Sequence, residues 1–289
     1  MKIIILSGKG GTGKSSITAS IACELKDRFV LVDADSDCPN QHLLFPGEII
    51  KQQELNLTET SIISKDYSSS IKTLDDLCRF GAIFEKKGRL GVDKRKCTGC
   101  GNCIITRSAG SAILVPKRTG ELIVIETKKF SLVYGRLEPG ESGSGKMVFE
   151  IKKTADELGR KNSTNLILID APAGIGCPVI AAVTGCDYAL GVVEPTPASI
   201  ANLERALEVV KHFNIPFSVI MNKSGLSKKY EKEINRKFGN AIIATIPYDE
   251  ELPHLLARGV PPVKGNGKAA VALKELVKKV ELEIIGGKQ

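Results

Sequence analysis

The chain opens with KIIILSGKGGTGKSS, residues 2–16, and this stretch determines the class of fold to expect for the rest. The apolar residues 3–6 predict a short buried strand, which a glycine-rich turn connects to a helix that begins near Ser15. From Gly8 onward the turn matches the P-loop pattern Gly-x4-Gly-Lys-Ser. Glycines allow consecutive backbone N–H groups to face phosphate oxygens, and the helix N-terminus adds the positive end of its dipole. The stretch therefore predicts a phosphate-binding loop.

The side chains of this loop have predictable roles. Lys14 would reach the β- and γ-phosphates of a nucleotide, and the Ser15 hydroxyl would ligate Mg²⁺. A glycine-rich turn without a ligand would not explain a lysine and a serine at these two positions. The predicted nucleotide-contacting residues of the loop are Gly8, Gly10, Gly11, Thr12, Gly13, Lys14, Ser15 and Ser16.

The composition is that of a globular protein. With 289 residues the chain has room for one large α/β domain or two smaller ones, and 42% hydrophobic residues suffice for a buried core. Met1 and Lys2 lead directly into the first predicted strand and no run of about 18 apolar residues occurs, so neither a signal peptide nor a transmembrane helix is expected. Eight cysteines then favour a reducing cytoplasm, where they serve metal binding or catalysis rather than disulfides.

The net charge of +8 admits binding to nucleic acid or to a membrane surface. The lysines are scattered along the chain rather than arranged in a stripe, which favours a solvated surface. Residues 267–289 predict one last amphipathic helix without a Phe or Trp anchor, which favours packing on a sheet over membrane binding. We therefore expect neither a membrane nor nucleic acid among the partners.

Three aspartates follow the second predicted strand, residues 29–32. Asp33, Asp35 and Asp37 lie just past its end, where open parallel sheets bind their ligands. Carboxylates at this position can hold the waters of Mg²⁺ and orient an attacking water, whereas the alternative is a solvated acidic turn.

A further aspartate ends the strand predicted over residues 165–170 and precedes a turn with two glycines, residues 171–176. This arrangement is typical of a Walker B strand followed by switch II, in which the aspartate contacts Mg²⁺ through water. Ser15, Asp35 and Asp170 are thus the predicted Mg²⁺ ligands.

The base of the nucleotide is expected at the ends of two later strands. Residues 217–221 predict a strand that leads into an Asn-Lys pair beginning at Asn222, an element that resembles the base-recognition sequence of P-loop NTPases. GTPases need an aspartate two residues after that lysine, and Gly225 stands there, so adenine and hence ATP are favoured. Pro247 and Tyr248, after the last predicted strand, would complete the base site.

Taken in order, these motifs resemble those of the MinD/ParA superfamily of P-loop ATPases, to which the nitrogenase iron protein and the Mrp-type ATPases are related. Lys9 resembles the extra lysine of the deviant Walker A loop, which implies that it reaches across a dimer interface to the partner's nucleotide; the alternative is a solvated lysine. The acidic run resembles switch I, which implies that Asp35 polarises the attacking water and that Asp33 and Asp37 support it. Lys9, Lys14 and Asp35 are the catalytic candidates.

A second kind of motif lies in the middle of the chain, where the α/β alternation breaks. Cys97, Cys100 and Cys103 have the spacing C-x2-C-x2-C, with which bacterial ferredoxin runs begin. The fourth cysteine of such a run would be residue 107, which is Arg107. In two-cluster ferredoxins, however, the fourth cysteine of each run ligates the cluster of the other run.

Cys78 completes the set by this logic. It fits as the fourth cysteine of an earlier run whose other three positions are Ser68, Ile71 and Leu74. The first run has then lost its own three ligands, and the second run has lost the fourth ligand that it would supply to the cluster of the first. All the losses belong to one cluster. Cys78, Cys97, Cys100 and Cys103 remain as one complete set of four thiolates for a 4Fe–4S cluster. Zinc on the same thiolates, a labile or three-iron cluster, and no metal at all remain the alternatives.

The alternation of strands and helices predicts a doubly wound, mostly parallel α/β sheet of seven or eight strands. A small α+β ferredoxin-like module is expected to interrupt it. The predicted boundaries are residues 1–57 and 131–289 for the P-loop ATPase domain and residues 58–130 for the inserted iron–sulfur module.

The resemblance implies a Mg-ATP-binding, slowly ATP-hydrolysing dimeric switch, coupled here to one 4Fe–4S cluster and gating electron transfer to a partner. The expected partners are a second copy or a related ATPase, and a redox or iron–sulfur acceptor protein. Two alternatives stay open: a positioning or scaffold switch with a structural metal site, and an ATPase for iron–sulfur cluster assembly or carriage.

Overall fold

The computed structural model describes residues 1–64, 77–105 and 112–288. Ser68, Ile71, Leu74 and Arg107, which the sequence analysis matched to lost cysteines, lie outside this part of the chain. The four cysteines of the predicted cluster-binding set lie inside it.

Strands and helices alternate over both ends of the chain. The strands are β1 (Lys2–Ser7), β2 (Val30–Asp33), β3 (Glu48–Leu55), β4 (Thr58–Ile63), β5 (Ile83–Lys86), β6 (Arg89–Val92), β7 (Ala112–Lys117), β8 (Gly120–Glu126), β9 (Ser131–Leu137), β10 (Ile167–Ala173), β11 (Tyr188–Val193), β12 (Phe217–Ser224) and β13 (Ile242–Pro247). The α-helices are α1 (Lys14–Glu24), α2 (Gln41–Leu44), α3 (Asn102–Ile105), α4 (Ser144–Lys161), α5 (Cys177–Val183), α6 (Pro197–His212), α7 (Lys228–Phe238), α8 (Glu251–Ala257) and α9 (Lys268–Lys279).

The largest sheet has nine strands, in the spatial order β13-β12-β11-β1-β10-β2-β9-β8-β3. The seven strands from β13 to β9 pair in parallel, with β1 between β10 and β11. Ile3 of β1 lies opposite Leu168 of β10 and Tyr188 of β11. These strands are continuous apolar runs because helices cover both faces of such a sheet, and Ile3 and Leu168 are completely buried in the core. The predicted α/β class with a mostly parallel sheet is confirmed.

The sheet has more strands than the seven or eight that the sequence predicted. The edge strand β3 is exposed at every residue except Leu55, so it lacks the apolar pattern by which a strand is recognised. β8 and β9 are apolar, but they lie within or next to the stretch that was assigned to the inserted module.

The C-terminal segment is not one continuous α-helix over residues 267–289, as predicted. The α-helix α9 ends at Lys279, a π-helical turn follows over Val280–Ile285, and a short 3₁₀ turn ends the described residues at Gly286–Lys288. Gly286 and Gly287 disfavour continuation of an α-helix because glycine loses the most backbone entropy there. The predicted apolar face of α9 does pack into the core, through Leu273 and Val277 among others.

The chain divides into two compact units. The first, here called the sheet unit, comprises residues 1–52, 122–136 and the chain from residue 144 onward; the second, the cysteine unit, comprises residues 53–121 and 137–143. The predicted boundaries at residues 58 and 130 differ from this division, because β8 and β9 return to the large sheet before the chain enters α4.

The cysteine unit contains two small antiparallel pairs, β4 with β7 and β5 with β6. Its core is correspondingly small and includes Leu77, Ile83, Cys103 and Ala112. Along residues 1–64, 77–105 and 112–288, no helix has both the length and the apolar character needed to cross a membrane.

Candidate functional site

The glycine-rich loop between β1 and α1 has the backbone geometry that its glycines allow. Gly11 and Gly13 adopt φ angles of 79° and 88°, in the left-handed region that favours glycine, and Gly13 is the N-cap of α1. Gly8 is needed for a different reason. A Cβ atom at Gly8 would lie 2.0 Å from the backbone carbonyl carbon of Asn202, so α6 packs directly against the loop.

A cavity of about 400 Å³, here called the P-loop cavity, opens beside this loop at the carboxyl end of the sheet. Cavities that bind small molecules typically have volumes of about 300–1,000 Å³. The predicted site residues that line it are Lys9, Gly10, Gly11, Thr12, Gly13, Lys14, Ser15, Ser16, Asp35, Asn222, Pro247 and Tyr248. Gly8 and Asp170 lie behind this lining.

Lys14 and Asp170 form a buried ion pair at the base of the P-loop. The Lys14 Nζ lies 2.5 Å from Asp170 Oδ1, and the two side chains are 6% and 0% exposed. Gln41 completes the arrangement by donating from Nε2 to Asp170 Oδ2 at 2.8 Å and to the Ser15 carbonyl oxygen at 3.0 Å. Both carboxylate oxygens of Asp170 are therefore engaged by groups of the chain itself.

The three aspartates of the acidic run occupy different environments. Asp33 is completely buried, and its Oδ2 accepts the backbone N–H groups of Asn40 at 2.8 Å and Gln41 at 3.0 Å. Asp35 is half-buried and lines the P-loop cavity, whereas Asp37 is exposed and does not. Asp33 thus stabilises the conformation of the segment that follows β2 through these hydrogen bonds. Asp35 is the aspartate of the run that faces the cavity.

Burial changes the proton affinity of two of these groups. Burial, together with the nearby charge of Asp170, raises the pKa of Asp33 to about 7. Burial also raises the pKa of Asp35, against the opposing charge of Lys14. Two carboxylates beside the P-loop therefore hold protons more tightly than ordinary aspartates do.

Glu194 connects two lysines that line the P-loop cavity. Its Oε1 lies 2.6 Å from Lys9 Nζ and its Oε2 lies 2.7 Å from Lys223 Nζ, which also donates to the Gly11 carbonyl oxygen at 2.6 Å. Burial by itself would raise the pKa of Glu194, but the hydrogen bonds and charges of Lys223 and Lys9 outweigh it and lower the pKa. Within this single chain, Lys9 is bound to a carboxylate.

Asn222, at the end of β12, contacts the P-loop directly. Its Nδ2 donates to the Thr12 carbonyl oxygen at 2.8 Å, and a Cβ atom on Gly13 would lie 2.2 Å from that nitrogen. The amide therefore supports the loop's backbone. Pro247 and Tyr248, at the end of the neighbouring strand β13, line the same cavity.

A second cavity lies in the cysteine unit, and all four cysteines of the predicted set line it, so it is called the cysteine cavity. Cys103 is buried, Cys78 and Cys97 are half-buried, and Cys100 is exposed. Backbone N–H groups face two of the sulfurs: Ser61 N donates to Cys97 Sγ and Ala82 N donates to Cys78 Sγ, each at 3.4 Å.

Backbone hydrogen bonds change the pKa of the Cys97 thiol. Burial would raise its pKa, but backbone donors from Ser61 and Gly99 prevail and lower it. Gly99 and Gly101, which separate Cys97, Cys100 and Cys103, have φ angles of 67° and 76°, so the chain between the cysteines turns through conformations that favour glycine.

The donor set of the cysteine cavity fits an iron–sulfur cluster, because four thiolates and N–H donors to sulfur are the features that bind such clusters and tune their potential. The side chains are not drawn together around one point, however. Within the part of the chain that the structure describes, no three His, Cys, Asp or Glu side chains are arranged so that they could hold a metal ion.

Gln41 and Glu194 were not among the site residues predicted from the sequence. Glu194 directly follows the strand β11, so the reasoning that singled out Asp33 and Asp170 as strand-end carboxylates could have found it. No sequence pattern marked Gln41 as a site residue. Its position depends on the hydrogen bonds by which the Asp33 carboxylate holds the backbone of Asn40 and Gln41.

A glycine turn between β1 and α1 that opens into a cavity at the carboxyl end of a parallel sheet defines a P-loop nucleotide-binding protein. Residues 3–263 match the model of the CobQ/CobB/MinD/ParA nucleotide-binding domain, and the chain belongs to that family. The predicted membership of a MinD/ParA-type P-loop family is confirmed.

Relatives cover nearly the full chain. An uncharacterized protein of Methanocaldococcus jannaschii is 37% identical over 283 residues, which are 97% of this chain and 96% of that protein. The iron–sulfur cluster carrier protein of the same organism is 24% identical over 307 residues, covering 100% of this chain and 86% of the carrier. The septum site-determining protein MinD complexed with Mg-ADP from Pyrococcus horikoshii has a TM-score of 0.61 at 19% identity, covering 100% of this chain and 98% of MinD. At that identity, the likeness to MinD shows a shared fold.

Proposed function

We propose that the protein is a Mg-ATP-dependent dimeric switch that hydrolyses ATP slowly and is coupled to one 4Fe–4S cluster. By this proposal it acts in the cytoplasm, and ATP gates the transfer of an electron to a partner protein. The observation that supports the proposal most is that Cys78, Cys97, Cys100 and Cys103 line one cavity, in a chain of a nucleotide-binding family.

The nucleotide half of the proposal rests on the Lys14–Asp170 pair. Lys14 would exchange the Asp170 carboxylate for the phosphates of ATP, and Asp170 would then be free, with Ser15, to hold Mg²⁺ and its waters. Because both charges are buried, each needs a new partner at the moment it loses the old one. Magnesium and nucleotide are therefore expected to bind as a unit.

By this proposal, Asp35 acts on the attacking water. It lines the P-loop cavity with Lys14 and Ser15, and burial raises the pKa of its carboxyl group. A carboxylate with increased proton affinity is a better acceptor for a hydrogen bond from water. Hydrolysis would be slow in the single chain, since Lys9 is bound to Glu194 rather than available to stabilise the transition state.

Dimerisation is the step that would release Lys9. By resemblance to the family, Lys9 contacts the nucleotide of a second subunit, which is a copy of this chain or a related ATPase. Lys9 Nζ lies 2.6 Å from Glu194, so this contact has to replace an existing ion pair.

Cys78, Cys97, Cys100 and Cys103 would hold the cluster, which supplies reversible one-electron chemistry when it is bound. The N–H groups of Ser61 and Ala82 would donate to its cysteine sulfurs and stabilise negative charge there. In the chain, the cysteines lie between Asp35 and Asp170, so the two segments expected to respond to the nucleotide enclose them in sequence. This order supports coupling between nucleotide and cluster.

Carriage of an iron–sulfur cluster is a second candidate. A relative named as an iron–sulfur cluster carrier protein spans the whole chain at 24% identity, and Cys100 is exposed at the edge of the cysteine cavity. By this alternative the cluster is cargo that leaves with an acceptor, and ATP regulates its release. A positioning or scaffold switch with zinc on the same thiolates is the third candidate.

The first test is anaerobic purification with iron, sulfide and zinc analysis, followed by dithionite reduction monitored by EPR with and without Mg-ATP. About four irons per chain and an EPR signal that changes with Mg-ATP are expected. The variant Cys78→Ser should lose the intact cluster, whereas Cys177→Ser, which replaces an exposed cysteine on α5, should retain it.

The other outcomes separate the candidates. Zinc in place of iron, or a cluster that cannot be reduced, would contradict electron transfer and favour the scaffold switch. Loss of iron and sulfide to an apo-ferredoxin, faster with Mg-ATP than without, would favour the carrier. An intact, reducible cluster that stays on the protein would favour electron transfer.

A further inference from the structure

The segment that carries the four cysteines of the cysteine cavity is strongly basic. Between residues 77 and 105 there are seven lysines and arginines but only one glutamate and one aspartate, and all seven basic residues are exposed. The lysines are scattered over the chain as a whole, but this segment is strongly basic within a chain of net charge +8.

Three of these residues lie at the tip of the antiparallel hairpin formed by β5 and β6, here called the basic hairpin. Its base, where Ile83 pairs with Val92, lines the cysteine cavity, and its tip presents Lys86, Lys87 and Arg89. Each strand has four residues, so the tip is about 10 Å from the base. The charges are thus within one hairpin length of the cavity.

The backbone of the turn makes Lys87 unusual. Lys87 and Gly88 have φ angles of 54° and 70°, the pattern of a tight type I′ turn. The first of these positions favours Asn, Asp or Gly, and a lysine there costs conformational energy. Turn formation therefore does not account for Lys87, which points to a use for its charge.

A second group of charges follows β6 in the chain and directly precedes Cys97. Residues 94–96 are Lys-Arg-Lys, all exposed, and lead directly into Cys97. The Asp93 backbone carbonyl accepts the N–H of Cys97 at 3.0 Å, and its side chain accepts the N–H of Arg95 at 3.0 Å, so this turn is ordered. Residues 94–96 and Cys97 therefore belong to one turn, which the hydrogen bonds to Asp93 stabilise.

Apolar side chains are exposed within the same segment. Phe80, which lines the cysteine cavity beside Arg79, is 46% exposed, Phe84 on β5 is 45% exposed and Ile105 is 83% exposed. Exposed aromatic and aliphatic groups surrounded by charge are the composition of a protein–protein interface, with an apolar centre and a polar rim. Phe80 and Phe84 are side chains on which bases can stack and Ile105 is not, so binding of a nucleic acid is kept as one outcome of the test.

We propose that the basic hairpin and residues 94–96 form a docking surface for a small acidic electron-carrier protein. The proposal rests on the proposed function and specifies its partner: an acidic protein with a one-electron centre, steered to the cysteine cavity by charge. One electron would pass between the carrier's centre and the cluster that the four cysteines of the cysteine cavity would hold. The group that gives the electron is oxidised by one electron and the group that accepts it is reduced by one, and no covalent bond or proton is transferred. The rim of exposed charge determines the association rate, and the apolar residues limit dissociation.

The test is binding of the full-length protein to a plant-type [2Fe–2S] ferredoxin, used as an acidic probe, at several salt concentrations. The double variant Lys87→Asn/Arg89→Gln removes two charges, and asparagine suits the turn at position 87. The matched control, Lys228→Gln/Lys229→Gln, removes two exposed charges at the start of α7. We expect Kd to rise about tenfold for the hairpin variant at low salt and to change less than twofold for the control. Amidation of the ferredoxin carboxylates should abolish binding.

The thermal unfolding temperature shows whether the variant is merely misfolded, since Lys87→Asn alone should leave it unchanged or raise it. Equal losses for the hairpin variant and the control, or no binding of the ferredoxin, would overturn the proposal. So would a double-stranded oligonucleotide that binds more tightly and displaces the ferredoxin. Binding is measured with and without the metal centre, and iron is assayed separately. A protein that lacks iron but still binds the ferredoxin would contradict the proposed cluster and not the docking surface. A protein that contains iron but does not bind the ferredoxin would contradict the docking surface and not the cluster.

Discussion

Lys14 Nζ lies 2.5 Å from Asp170 Oδ1, and the pair is buried at the base of the P-loop. The lysine expected on the phosphates and the carboxylate expected on Mg²⁺ neutralise each other in this pair. The same two groups thus stabilise each other and, by our proposal, bind the ligand, so single substitutions of either should affect both stability and binding.

The substitution Lys14→Met should lower the free energy of unfolding of the nucleotide-free protein by about 3 kcal/mol, because Asp170 is left buried without its cation. Urea unfolding in buffer without nucleotide or Mg²⁺ measures this. Lys26→Met, at an exposed lysine just after α1, is the control and should change the free energy by less than about 0.5 kcal/mol. Equal stability of the two variants would show that the pair contributes nothing.

Gln41→Glu should make stability dependent on Mg²⁺. The new carboxylate would lie beside Asp170 and near Asp33, and repulsion among buried carboxylates should lower the free energy of unfolding by about 2 kcal/mol without metal. Mg²⁺ should restore most of that loss. Thermal unfolding with and without Mg²⁺ tests this, with Gln41→Met as the control that removes the hydrogen bonds but adds no charge. A Gln41→Glu protein indifferent to Mg²⁺ would argue against a metal at this position.

Glu194→Gln should favour the nucleotide-dependent dimer. Lys9 is bound to Glu194 in the single chain, and a dimer of two copies breaks this pair twice. Weakening each pair by about 1 kcal/mol should therefore raise the dimerisation constant about thirtyfold with ATP. Light scattering after size-exclusion chromatography measures the dimer with ATP and with ADP. Glu204→Gln, which breaks a more exposed pair between α6 and Lys237, is the control. An unchanged dimerisation constant for Glu194→Gln would show that the pair does not restrain Lys9.

Asp33 should make stability fall as pH rises. Its folded pKa is raised from 3.8 to about 7, so between these pH values the folded state holds a proton that the unfolded state has lost. The contribution of Asp33 is therefore complete below about pH 4 and is lost as pH rises to about 7. Asp33→Asn should remove up to about 1.4 kcal/mol per pH unit from the slope of unfolding free energy against pH in this range. Asp37→Asn is the control, since it changes an exposed aspartate of the same run, and an identical slope in both variants would refute the assignment.

Gly8 and Gly10 should respond differently to alanine. A Cβ atom at Gly8 would overlap the backbone of Asn202, so Gly8→Ala should lower the free energy of unfolding by about 1–3 kcal/mol. Apart from the adjoining residues, no group in the described part of the chain lies within 4 Å of a Cβ atom at Gly10, so Gly10→Ala should fold as the unchanged chain does. Urea unfolding of both variants measures the difference, and similar stabilities would mean that α6 can move away from the loop.

Sequence patterns predicted those parts of the molecule that depend on local chemistry. Glycines at fixed positions predicted the P-loop, and aspartates at strand ends predicted Asp35 beside the cavity and Asp170 behind it. The roles of these residues in ATP hydrolysis remain proposals. The grouping of Cys78 with three cysteines about 20 residues later came from ferredoxin logic, and the four residues do line one cavity.

Features that depend on tertiary structure were not predicted. The edge strand β3 has no apolar face, so its pairing with β8 could not be inferred from its own residues. Gln41 reaches Asp170 across 129 positions of sequence, and no periodicity encodes such a contact. The ion pair of Lys9 with Glu194 was not predicted, because the resemblance to a dimeric family assigned Lys9 to the nucleotide of a second subunit.

The order of strands in the large sheet has a consequence for synthesis on the ribosome. The first strand made, β1, is the partner of β10 and β11, which begin at Ile167 and Tyr188, so it has no neighbour until more than half of the chain has been translated. The cysteine unit, by contrast, is complete at residue 143. Domains generally fold as units while the chain grows. The cysteine unit can therefore fold before the phosphate-binding loop has the sheet that supports it. By the proposed function, the metal centre would then be inserted before the nucleotide binds.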